Sequence, residues 1–361
     1  MTDNLQLKEI GEKKLVCELT SIITADPRLI SGFGSDSGAI QIDSNDDLIL
    51  VNTDRSGMNI AYQMGLADSK CVGDFGVSHA VSDIYASGGI PFAVTIALLL
   101  PDNLTVKFVK DIMIGAEQAA KRYGAFIAGG DTKKNPKFAM VVTALGKCKR
   151  NSLVTRNKVQ DGDYLVVTGN LGVMQTGILV INNKIQIDST ELELLKKSII
   201  FQHPPYDLPR EIYDNNIIHG CMDNSDGLIS SLYSFSEQNN LGVTIDEKNI
   251  PCLEITKKVA KKLNINTFQL CIGSGDWQHI FAVNKDRISD FLKICSQHNK
   301  KFTIIGQFTK NTDVTIKTKK GVFILNRLEN DRFKISGSEW FNLLSKKSGY
   351  LGRQINGINN N

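Results

Sequence analysis

The sequence predicts a mixed α/β protein of two domains, and three observations lead there. At 361 residues the chain exceeds what one hydrophobic core usually supports. Apolar runs such as Ile49-Leu-Val-Asn-Thr-Asp54 and Pro91-Phe-Ala-Val-Thr-Ile-Ala-Leu-Leu-Leu100 read as buried strands, and acidic residues stand repeatedly at strand ends beside small residues. Between them lie stretches whose apolar positions recur every three or four residues, the spacing of amphipathic helices.

Taken in order, the first thirty residues read as helical. The glycine-rich Ser31-Gly-Phe-Gly-Ser-Asp-Ser-Gly38 then excludes a regular element; such loops bind anions through backbone N–H groups. After the strand ending at Asp54, residues 71–86 suit a helix, on which His79 and Asp83, four apart, share a face. Gly88-Gly-Ile-Pro91 stops that helix and opens the strand to Leu100. Leu104, Phe108, Ile112, Ala116, Ala119 and Tyr123 mark the next helix, with Gly124 placed to cap it. Ala125–Ala128, a Gly129-Gly-Asp131 turn and the strand Phe138–Leu145 complete the first half.

Composition turns polar and basic at Lys147–Ser152 and Arg156–Lys158, which sets the expected boundary: one domain over 1–150, a second over 151–361. The second opens with a strand in Asp161-Gly-Asp-Tyr-Leu-Val-Val-Thr168 leading into a glycine turn. In Asn224-Ser-Asp-Gly-Leu228, Ser225 or Asp226 is placed to cap a helix. Gly273-Ser-Gly-Asp276 is another small-acidic turn running into a strand.

With 42% hydrophobic residues each half can bury its own core, and Lys+Arg 42 against Asp+Glu 38 gives a mild net charge of +4. No basic tract carries interleaved aromatics, so no nucleic-acid partner is expected. The apolar run to Leu100 is too short to span a bilayer and is closed by Pro101, so no membrane partner is expected either. Met1-Thr-Asp-Asn-Leu-Gln6 lacks the basic start and apolar core of a signal peptide, and the seven cysteines form no C-x-x-C pair. The expectation is a cytoplasmic protein without a disulfide framework or zinc site.

Four aspartates stand out: Asp36, Asp54, Asp83 and Asp131. Singly, each reads as a cap or turn former. Gathered by a fold, such carboxylates repel one another, and a divalent cation offsets that repulsion well. Magnesium for a nucleotide triphosphate is the expected use.

The order of motifs resembles a known family. Gly34-Ser-Asp-Ser-Gly-Ala39, Asn52-Thr-Asp54, Ser82-Asp-Ile-Tyr-Ala-Ser-Gly-Gly-Ile-Pro91, Gly129-Gly-Asp-Thr132, Asp161-Gly-Asp163, Met222-Asp-Asn-Ser-Asp-Gly-Leu228 and Gly273-Ser-Gly-Asp276 resemble the aminoimidazole ribonucleotide synthetase-like (PurM-like) superfamily, and within it most the thiamine-monophosphate kinase family. That resemblance implies a two-domain PurM-like fold, an N-terminal domain giving strands to a β-barrel across a homodimer, a C-terminal α/β domain, and ATP near the dimer interface. It implies Asp36, Asp54, Asp83 and Asp131 as Mg2+ ligands, with Gly129, Gly130, Arg156, Ser35 and Thr53 on the nucleotide side. Asp226 and His79 are the candidates for positioning a small-molecule acceptor.

The chain also departs from the kinase pattern. Ser35 precedes Asp36 where that pattern has two adjacent acids, and Gly273-Ser-Gly-Asp-Trp-Gln278 lacks two carboxylates of its Gly-Glu-Asp-Tyr-Glu turn. The expected activity is ATP- and Mg2+-dependent phosphoryl transfer. Its rivals are an amide-activating cyclo-ligase of the synthetase type and a nucleotide-binding subunit without turnover.

Overall fold

A computed structural model describes residues 6–24, 26–42, 46–214, 216–328, 331, 333–334 and 350–355. Two short helices, Leu7–Ile10 and Glu12–Ser21, open it, and the Glu12 amide donates to Asp331 Oδ2 at 3.1 Å. Five strands follow: β1 (Gly38–Gln41), β2 (Asp47–Ser56), β3 (Ile90–Leu100), β4 (Phe126–Lys134) and β5 (Ala139–Lys149). They form one sheet in the order β1-β2-β5-β3-β4, antiparallel except for β3 and β4, which the helix Val106–Arg122 connects in parallel.

The period of two in these strands sorts their side chains. Leu48, Leu50, Val94, Ile96, Leu98, Met140 and Val142 enter a core with Val77, Val81 and Ile84 of the helix Lys70–Ala86 and Ile112 and Ala116 of Val106–Arg122. Alternate residues such as Thr53, Arg55, Val141 and Thr143 stay half-buried or exposed on the opposite face. The two helices approach closely because glycines stand where they cross: a Cβ on Gly73 would lie 1.8 Å from the Ile112 carbonyl oxygen.

The second half holds eight strands: β6 (Tyr164–Thr168), β7 (Ile218–Asp223), β8 (Gly242–Asp246), β9 (His279–Val283), β10 (Phe302–Thr309), β11 (Val314–Thr318), β12 (Gly321–Leu325) and β13 (Leu351–Ile355). Their order is β13-β12-β11-β8-β10-β6-β9-β7, parallel only between β8 and β11. Its central strands are apolar on both sides. Ile280 and Ala282 pack with Leu232 and Phe235 of the helix Leu228–Asn239, while Phe281 and Val283 pack with Phe291 of the helix Ile288–Gln297. The halves are joined: Met174, Ile178 and Ile199 enter the first core, and Ala86 enters the core around Phe281. No helix among the described residues is long and apolar enough to cross a membrane.

Two local expectations are corrected. Gly129-Gly-Asp131 is not a turn but the middle of β4, and a Cβ on Gly130 would meet the Ile96 carbonyl oxygen at 2.0 Å. The glycine there lets two strands approach rather than letting the chain reverse. The helix after Asp226 has Gly227, φ +93°, at its N-cap, with no side-chain cap.

Candidate functional site

Three carboxylates converge where the two halves meet. Asp36 comes from the glycine-rich loop before β1, Asp83 from the last turn of Lys70–Ala86, and Asp223 from the end of β7. One oxygen of each lies within 4.8 Å of the others. Asp36 and Asp223 are buried, and Asp83 is half-buried.

Asp36 and Asp223 are held by the other half of the chain or by their own loop. Arg156 grips Asp36 through two nitrogens, Nε to Oδ2 at 2.8 Å and Nη2 to Oδ1 at 2.5 Å. The Ser82 hydroxyl donates to Asp223 Oδ2 at 2.9 Å and the Ser225 hydroxyl to Oδ1 at 2.8 Å. Asn239 Nδ2 donates to the Arg156 carbonyl, and Gln238 Nε2 to the Gly34 carbonyl, so the helix Leu228–Asn239 fixes both the arginine and the loop carrying Asp36.

Concentrating negative charge away from water raises its cost. Burial first, then the neighbouring Asp223, Asp54 and Asp36, push the Asp83 carboxyl well above the usual carboxylate range. Burial and Asp36 also raise Asp223, to about 6, against the opposing pull of Ser225, Arg156 and His79. Burial works against the charge on Arg156, but Asp36, with Asp83 and Asp223 behind it, keeps the guanidinium firmly protonated. One arginine thus faces three acids.

Asp54 lies beside this group without entering it. Asn52 Nδ2 donates to its Oδ2 at 2.7 Å, and His79 Nε2 stands 4.0 Å from its Oδ1. The His79 ring stacks on Phe75, centroids 5.6 Å apart, and meets Trp277 edge-on at 4.7 Å. Trp277 is buried with φ +53° and donates from Nε1 to Gln202 Oε1, so the Gly273–Gln278 turn reaches over to the first half's helix. Asp276 in that turn accepts the Gly172 and Met174 amides and closes the N-terminus of the helix Val173–Asn182. Its role there is structural.

Asp131 is placed elsewhere. In the cross-strand register, Asp54 aligns with Val142, Ile96 and Gly130, whereas Asp131 aligns with Ala97, Val141 and Arg55. Directly paired residues share a face, so Asp131 points to the side of the sheet opposite Asp54. It is exposed on the edge strand, as are Gly129 and Gly130. Thr53 lies on the same open face and shares a 2.9 Å hydrogen bond with Thr143. Ser35 is half-buried next to Asp36, and Asp226 is exposed on the loop following Asp223. Sequence reasoning chose Asp226 from its motif and missed Asp223. The missed signal was the one used for Asp54: an acid closing an apolar strand, here Ile218-His-Gly-Cys-Met-Asp223.

Comparison with known proteins places this geometry. Residues 34–148 match the AIR synthase related protein N-terminal domain, and residues 160–319 match its C-terminal domain. The chain belongs to the AIR synthase-related family. Among curated relatives of this family, the thiamine-monophosphate kinase of Pyrococcus horikoshii is 28% identical over 288 residues, 79% of this chain and 85% of that one. The thiamine-monophosphate kinase of Aquifex aeolicus is 26% identical over 318 residues, covering 88% and 97%. Among solved structures, AaThiL complexed with AMPPCP and TMP superposes with a TM-score of 0.74 at 25% identity, covering 87% of this chain and 96% of that one. The HypE–HypF complex shares the fold, with a TM-score of 0.64 at 20% identity over 87% of this chain and 99% of that one. The two-domain PurM-like architecture expected from the motifs is therefore the architecture of this chain.

Proposed function

We propose that this protein is a kinase of the thiamine-monophosphate kinase type, transferring a phosphoryl group from ATP to a small acceptor with Mg2+. The observation that carries the reading is the group Asp36, Asp83 and Asp223, two of them buried and one half-buried, with one oxygen of each within 4.8 Å of the others. An all-oxygen, strongly anionic donor set fits a hard divalent cation. Asp36, Asp83 and Asp223 would hold Mg2+, with Asp54 behind them, and the bound ion would neutralise charge on the transferred phosphoryl group.

The residues of the chain supply the rest. Phosphoryl transfer needs positioning and charge neutralisation more than covalent chemistry. Arg156, already aimed into the acidic group, is the cation we assign to the nucleotide phosphates, and the loop presents the exposed Gly34 beside it. His79, between Phe75 and Trp277, and Asp226, on the loop beyond Asp223, are assigned to the acceptor. The relatives' thiamine monophosphate is the first acceptor to try.

We further propose a homodimer. The face of the first sheet bearing Thr53, Thr95, Val141 and Thr143 carries no helix among the described residues, and Asp131, Gly129 and Gly130 lie along its edge. Asp131 can join an acidic site only from a second copy seated on that face. We place the domain boundary at 150/151 and the protein, with its seven free cysteines, in the cytoplasm.

The test is direct: incubate the protein with ATP, MgCl2 and thiamine monophosphate, and follow products by 31P NMR. Thiamine diphosphate with ADP supports the kinase. ATP turnover only with a formyl-amidine substrate replaces it by the cyclo-ligase, and Mg2+-linked ATP binding without turnover replaces it by the subunit.

A further inference from the structure

A cavity of about 330 Å³ lies away from the acidic site, lined by Arg150, Asn151, Lys158, Tyr213, Asn216 and His219 among others. It is formed by the segment joining the halves and the start of β7. His219 is four residues before Asp223 on that strand, so the two centres are about 13 Å apart along it. The lining holds two permanent cations and no acid. Arg150 and Lys158 are exposed and make no ion pair among the described residues; Arg150 spends one N–H on Gln41 Oε1, which leaves its other donors for a ligand.

His219 gives the cavity an independent mark. Its side chain is only 4% exposed, and Nδ1 lies 2.8 Å from Asp163 Oδ2. Asp163 Oδ2 also accepts the Gln160 amide, so the carboxylate is acceptor to both and the ring carries its proton on Nδ1. That leaves Nε2, across the ring, buried and without a partner. A buried polar atom left unpaired costs about 1–3 kcal/mol, and an incoming ligand group removes that cost. The neutral ring offers Nε2 as an acceptor; the protonated ring offers a donor.

We infer that this cavity is a second binding site, for a small phosphorylated metabolite. Its phosphate is held by Arg150 and Lys158, and a hydroxyl or phosphate oxygen meets His219 Nε2. The volume is at the small end for ligand pockets, which suits a sugar phosphate and excludes a whole nucleoside triphosphate. Asn151 and Asn216 add neutral amides suited to sugar hydroxyls.

The experiment is calorimetric titration of the full chain with ribose 5-phosphate and, separately, inorganic phosphate. Saturating Mg2+ and AMPPCP are present so that the acidic site is not the one being read. Both probes share the phosphate; tighter binding of the sugar phosphate identifies the metabolite, and equal binding identifies free phosphate as the occupant. The double variant R150A/K158A, altered only at exposed positions, is expected to bind at least tenfold more weakly, since hydrogen bonds to charged groups are each worth about that factor. His219→Asn is expected to weaken ribose 5-phosphate more than inorganic phosphate. If its melting temperature drops, the double variant decides alone. No heat from either probe at millimolar concentration, or equal affinity in R150A/K158A, overturns the inference. Because binding is read and not turnover, failure of the kinase reading leaves this test intact.

Discussion

Asp223 and Asp226 stand three residues apart in one motif, yet only Asp223 turns toward Asp36 and Asp83. The strand decides this: Asp223 has the parity of Cys221 and faces the side where Ala86 packs, while Asp226 has left the sheet and is exposed. Asp36 and Asp83 were legible because acids beside small residues are unusual outside turns and sites. Asp223 was hidden because its partner Ser82 is 141 residues away, a separation that no local pattern encodes. If the three carboxylates hold Mg2+, Asp83→Asn or Asp223→Asn should lower Mg2+-dependent turnover by a hundredfold or more, the usual scale for one preorganised electrostatic contact. Steady-state kinetics at varied Mg2+ would check this.

A second residue-scale consequence concerns pH. Asp223 titrates near 6 when folded and lower when unfolded, so protonation favours the fold. Its contribution is present below the usual Asp range and is lost as pH rises through about 6. Metal-free protein should therefore lose stability between pH 4.5 and 7.5 relative to D223N, and Mg2+ should restore it at the higher pH. Thermal melts of both proteins at the two pH values, with and without MgCl2, would show it; identical pH profiles for the two would contradict the assignment.

At the scale of elements, the helix Lys70–Ala86 organises the site. It presents Asp83 and His79 on one face, Ser82 to β7, and glycines to its neighbour. Asp74 near its start is gripped by Arg122 Nη2 at 2.6 Å and His203 Nε2 at 3.0 Å, tying the two helices packed on the first sheet to residue 203 of the second half. Burial opposes the charge on Asp74, but His203 and Arg122 prevail and hold its carboxyl below the usual range. Gly73→Ala would push a methyl into the Ile112 carbonyl, and overpacking of this kind costs about 1–3 kcal/mol. A lower urea midpoint with turnover per folded molecule preserved would place that glycine in packing; an unchanged midpoint would show that the helices separate freely. The helices were legible from apolar spacing. The Gly129-Gly130 strand was not, since glycine reads locally as a turn and its use in close strand pairing appears only with the partner strand.

Across the whole molecule, the site exists only when both halves dock: Asp36 and Asp83 come from one, Arg156 and Asp223 from the other. That joint requirement is why motif order identified the architecture while single residues did not. The sheet face without a helix is the other molecular feature. Thr143→Arg on it should convert a homodimer to monomer in sedimentation velocity and lower turnover with it; a wild-type chain that sediments as a monomer would remove the dimer from the proposal.

A hydrogen bond from the Glu12 amide to Asp331 closes a loop of more than three hundred residues. Closure entropy grows only with the logarithm of loop length, so such a clasp is affordable once the intervening body has formed. A permuted chain that began after this segment and carried it at the other end would convert this closure, across a separation of 319 residues, into a local one.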